Sequence, residues 1–127
     1  MKKVWIYENV LNSVSDEDIG RRMKKIRDYA VKNDLNIVGE SIDKHSITKD
    51  FWQEFERAVD AVRSKTADAI LVYHVMTLGH DEKTMVEKSL QITQAGGGII
   101  SVEEGQIDAP IAYFLMGCPR LDEISLR

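Results

Sequence analysis

Apolar and β-branched residues gather in four short runs, at positions 3–7, 36–42, 69–75 and 98–102, each with the length of a strand. Between the runs the period changes from two to about 3.6. Ile19, Met23, Ile26 and Ala30 fall on one helical face, with Arg21, Arg22, Lys24, Lys25 and Asp28 mostly on the other, which reads them as surface charge. Ser15, three positions before Asp18, predicts the cap of this helix, and Asn33 its stop. A second helix places Phe51, Phe55, Ala58, Val59 and Val62 on one stripe, with Thr48 or Asp50 as its cap. Trp52 falls off that stripe, which leaves it open between an exposed contact residue and a core residue. A third helix starts near Asp81 and Glu82, whose charges suit an N-terminus, and runs through Val86 and Leu90 to Ala95.

Strand and helix alternate throughout, which predicts an α/β domain of three layers. Its sheet is mainly parallel, with four to five strands and helices on both faces. The run 69–73 is apolar at every position and fits a central strand covered on both sides. Gly96-Gly97-Gly98 closes a helix and enters a strand, so it predicts a helix stop and a tight turn; phosphate-cradling loops have the opposite order. Beyond Val102 the pattern weakens. The stretch 111–116, bracketed by Pro110 and Pro119, reads as a brief helix or an edge strand. One domain over residues 1–127 is expected.

Composition narrows the classes. A hydrophobic content of 43% with 30% charged residues is that of an ordinary globular chain, and no apolar run is long enough to span a bilayer. The lone cysteine, Cys118, has no internal partner, which suits a reducing cytoplasm. It sits between Gly117 and Pro119, with no helix start to activate its thiol. A net charge of −4 argues against broad nucleic-acid binding and leaves room only for a local patch. His45, His74 and His80 are too scattered to suggest a metal site, and Glu103-Glu104 reads as a solvated turn. No Gly-x-Gly-x-x-Gly run follows a strand, so no cofactor is expected.

The first strand ends Tyr7-Glu8-Asn9-Val10-Leu11, which resembles the Tyr-x-Arg-Val-Ser signature of serine recombinases, the resolvase/invertase family. Asp43-Lys44-His45-Ser46-Ile47 is similar to that family's Asp-x-x-Ser-Gly, with Ile47 in the glycine position. Met76-Thr77-Leu78-Gly79-His80 is similar to its Asp-Arg-Leu-x-Arg and keeps only the leucine. The likeness is strongest over residues 1–105 and follows the same order of elements.

The resemblance implies a serine that attacks a DNA phosphodiester within a ring of arginines. Guanidinium groups suit that task because they hold their charge and match phosphate oxygens in pairs. Here the nucleophile position reads Leu11. The arginine positions read Asn9, Thr77 and His80, a further one falls near Trp52, and the acidic position reads Met76. Ser46 alone of these keeps the family residue. The expectation is a catalytically silent domain that acts by self-association, as a homodimer, or by binding a recombinase-like protein. The family's long dimer helix and helix-turn-helix module do not fit in the residues after Gly105, so DNA binding by this chain alone is expected to be weak or absent. Two alternatives stand beside it. One is an active recombinase with a rearranged site, using Ser13 or Ser15 as a displaced nucleophile, although a turn and a helix cap are the ordinary roles of serines so placed. The other is a flavodoxin-like domain that binds a small ligand or nucleotide at the strand ends.

Overall fold

A computed structural model describes residues 1–107 of the chain. The elements in order are β1 (Lys2–Leu11), α1 (Asp16–Lys32), β2 (Leu35–His45), α2 (Gln53–Arg63), β3 (Ala69–Val72), a 3₁₀ turn (Val75–Leu78), α3 (Glu82–Gln94), β4 (Gly98–Ser101) and β5 (Gly105–Ile107). The sheet runs β2-β1-β3-β4-β5. The first four strands are parallel, and β5 returns antiparallel to β4. The stretch 111–116 and Cys118 lie outside the described residues.

Strand alternation sorts the core into two layers. Val4, Ile6, Val10, Ala69 and Leu71 face α1, where Ile19, Met23, Ile26 and Ala30 cover them. Tyr7, Ile70, Val72 and Ile99 face the opposite way, beneath Phe55, Val59 and Val62 of α2 and Ile92 of α3. Every residue of β3 is fully buried, as a central strand requires. The hydrophobic pattern foretold α1 in detail. The Ser15 hydroxyl accepts from the Asp18 amide at 3.1 Å, and Asn33 ends the helix.

Four expectations need correction. The second helix starts only at Gln53, and neither Thr48 nor Asp50 caps it. The carboxylate of Asp43, at the end of β2, instead accepts from the amides of Glu54 (3.0 Å) and Phe55 (2.9 Å). Phe51 therefore lies outside the buried stripe and is exposed, whereas Trp52 is half-buried against the α2 layer. On α3 the inward face carries Met85, Ser89 and Ile92, and Leu90 is exposed; a buried serine in the middle hid that face from an apolar count. The run 69–75 stops being strand at Val72, because His74 initiates the 3₁₀ turn by accepting from the Met76 amide at 3.0 Å.

The glycine triplet does what its position predicted. Gly96 has φ 96°, and the Gly97 amide returns to the Ile92 carbonyl at 3.1 Å, ending α3 before β4 begins.

Candidate functional site

The carboxyl ends of β1 and β2 and the loop after β3 converge at one edge of the sheet, the side where open α/β sheets carry their sites. Alternation along β1 sends Glu8 toward α1 and Asn9 toward α2, so consecutive residues build two separate clusters.

On the α2 side the centre is Asn9. Its amide nitrogen donates to Tyr7 Oη (3.0 Å) and to the Phe51 carbonyl (3.2 Å). Its oxygen lies 2.5 Å from His45 Nδ1. Because that oxygen only accepts, Nδ1 carries the imidazole proton and Nε2 is left as an acceptor. Nε2 is buried and has no hydrogen-bond partner among the described residues. Burial first, and then the His80 ring 4.9 Å away, hold the His45 pKa below its ordinary value. His80 in turn lies 3.5 Å from the Asp50 carboxylate. Below Asn9, the Tyr7 hydroxyl donates to Asp43 at 2.8 Å; burial and that carboxylate push the phenol pKa upward. Asn9, His45, Trp52, Met76, Thr77 and His80 enclose only about 30 Å³, room for water and for nothing the size of a sugar phosphate.

Beside this cavity, Leu11 ends β1 with 38% of its surface exposed and shares a groove of about 200 Å³ with Asn12, Ser13, His45, Ser46 and Ile47. Ser46 sits in a turn, its amide on the Lys49 carbonyl at 3.0 Å. Ser13 is exposed in the turn before α1, and the Ser15 oxygen is engaged as the helix cap. Among the described residues, neither the cavity nor the groove has an arginine in its lining.

On the α1 side Glu8 is fully buried. It accepts from its neighbour's amide at Asn9 (3.0 Å), from Thr77 Oγ1 (3.2 Å) and from Arg22 Nη1 (3.3 Å). Burial raises its pKa, and those donors oppose the rise. Arg22 also lies over the Tyr73 ring, 5.6 Å from the centroid. It is therefore a half-buried partner of Glu8, not the plain surface charge its helical position suggested; Arg21 fits that description, paired with the exposed Glu17 and Asp18. Glu8 and Arg22 escaped the sequence reading although one signal was present: Glu8 shares the inward register of Val4, Ile6 and Val10. Glu104 also departs from the solvated turn expected of it. Its carboxylate accepts from the Val75 amide (3.2 Å) and from Ser101 Oγ, and faces His74 Nε2 at 2.9 Å.

Among the described residues no three histidine, cysteine or acidic side chains converge to hold a metal, and no helix is long and apolar enough to cross a membrane.

The sheet order and the helices on both its faces define an α/β domain of the kind found in serine recombinase catalytic domains. The N-terminal catalytic domain of TP901-1 integrase superposes with a TM-score of 0.73 at 18% identity, covering 98% of this chain and 97% of that one. A resolvase family site-specific recombinase from Streptococcus pneumoniae gives 0.70 at 19%, covering 100% and 91%. The C-terminal catalytic domain of ISC1926 TnpA, an IS607-like serine recombinase, gives 0.68 at 18%, covering 98% and 79%. No curated protein sequence matches significantly. The profile described as "Resolvase, N terminal domain" matches residues 12–117, and the chain belongs to that family.

Proposed function

We propose that this is a single, cytoplasmic resolvase-like domain in which the serine-recombinase chemistry is silent and which works by association, either with a second copy of itself or with an active recombinase. The observation that carries this reading is Leu11. At the end of β1, where the family resemblance puts the attacking hydroxyl, a hydrocarbon side chain stands in a groove that no guanidinium lines among the described residues. The neighbouring polar groups are engaged elsewhere: Asn9 ties Tyr7 to the Phe51 carbonyl, and Thr77 donates to Glu8. Among the described residues no arginine lines the groove that holds Ser13, and Ser15 is already a helix cap. Support for association comes from Leu11 and Ile47 on the groove and Met76 on the adjoining cavity, which are exposed apolar side chains of the sort that protein contacts use.

Two measurements test the proposal. Incubation with supercoiled DNA followed by denaturing electrophoresis is expected to give no covalent adduct. An adduct that disappears in a Ser13→Ala/Ser15→Ala double variant overturns silence. Sedimentation of the protein, alone and with an active recombinase, is expected to show a complex that Ile47→Asp weakens at least tenfold. Ile47 is 92% exposed, so this change leaves the fold intact. A wild-type chain that stays monomeric in both settings overturns the association reading.

A further inference from the structure

On the α1 side of the same sheet edge a cleft of about 350 Å³ opens, separate from the groove around Leu11. Val14, Asp18, Arg21, Arg22, Lys25 and Tyr73 form its wall. Its position follows from topology. β1 and β3 are neighbours in the sheet, yet β1 leads into α1 on one face and β3 leads toward α3 on the other. Where connections diverge in this way, loops part at the carboxyl ends of the strands and leave a crevice, the usual ligand position of open α/β sheets.

The chemistry of the wall is selective. Three cations face one carboxylate, in a chain whose net charge is −4. Lys25 is exposed and has no ion-pair partner among the described residues. Arg22 is pre-positioned by its contacts with buried Glu8 and the Tyr73 ring; it uses one nitrogen on Glu8 and keeps most of its planar donor fork. Among the described residues Arg21 is held by Glu17 and Asp18, both more than half exposed, and pairs of that kind are weak enough for a dianion to displace. Tyr73 and Val14 add an aromatic and an aliphatic surface beside the cations. The volume lies in the range of small-molecule sites.

We infer that this cleft binds a nucleoside monophosphate, with the phosphate on Arg22 and Lys25 and the base against Val14, beside the Arg22–Tyr73 stack. This site is independent of whether the Leu11 groove is silent. Thermal unfolding and calorimetric titration of the full chain with adenosine 5′-monophosphate, inorganic phosphate and adenosine test it. The monophosphate is expected to raise Tm most, phosphate less, and adenosine not at all. Lys25→Glu, an exposed change checked by circular dichroism, is expected to weaken the monophosphate at least tenfold, the loss of one charge-assisted contact or more. Arg22→Lys keeps a charge beside Glu8 but removes the fork, and is expected to weaken binding in the same direction. No response to the monophosphate, or an equal response from Lys25→Glu, overturns the inference. So does a short oligothymidylate that binds through Lys25 when the monophosphate does not, since the cleft is then a nucleic-acid surface.

Discussion

Glu8 and His45 lie on opposite faces of the same strand ends, and burial pushes both toward their neutral forms, with opposite consequences for pH. Glu8 has a folded pKa raised above its ordinary 4.5. Its contribution to stability is fully present below that ordinary value and is lost as pH rises through the folded pKa. At neutral pH the buried charge therefore costs stability. Glu8→Gln removes that titration while keeping an oxygen to accept from Thr77 and from the Asn9 amide, so the variant is expected to gain stability relative to wild type as pH rises toward neutrality. That advantage shrinks as the solution is acidified toward Glu8's ordinary value, in urea unfolding at matched pH. A constant difference across that range contradicts the assignment. His45 has a folded pKa below its ordinary 6.5. Its contribution is intact above 6.5 and is lost as pH falls through the folded value, because the unfolded chain takes up the proton first. His45→Gln is expected to remove that acid-side loss, read as a flatter plot of unfolding free energy against pH below about 6.5. Glu8 was open to recognition from its even register in β1. The Asn9–His45 contact was not, since its partners are 36 residues apart and nothing in either run marks them as a pair.

At the scale of elements, what can be read from sequence depends on whether the stabilising partner is local. The start, face and stop of α1 were all legible, because cap, stripe and terminator lie within one helix length. The start of α2 was not, because its cap comes from another element. Asp43 reaches across from β2 to hold the first free amides of the helix, and it takes the Tyr7 hydroxyl on the same carboxylate. This one side chain thus joins β1, β2 and α2 at the edge where the candidate site lies. Asp43→Asn turns one acceptor into a donor facing donors, and is expected to cost about 2–3 kcal/mol in chemical denaturation. Tyr7→Phe removes the donation to Asp43 and the bond accepted from Asn9, and leaves the α2 amides on Asp43, so it is expected to cost less, about 1–2 kcal/mol. If the two variants cost the same, Asp43 is not the cap of α2.

At the scale of the whole molecule, the fold and the chemistry place different demands on the chain. The sheet order, the two-layer core and the five-strand count depend on periodicity, and the family fold is kept at about 18% identity to solved relatives. Phosphoryl transfer depends instead on a few side chains at the strand ends, none of which the core needs. Leu11→Ser separates the two demands. The change restores a hydroxyl at the end of β1 at a position 38% exposed, so stability should shift by no more than about 0.5 kcal/mol. On the proposed reading the hydroxyl alone gives no strand transfer. Each missing preorganised donor typically costs about a hundredfold to a thousandfold in rate, and Asn9, Thr77 and His80 all lack a permanent cation. The expected result is a folded Leu11→Ser protein that forms no covalent adduct with supercoiled DNA on a denaturing gel. If an adduct forms from this single substitution, the cations required for transfer are already in place, and the proposal that the domain lacks them fails.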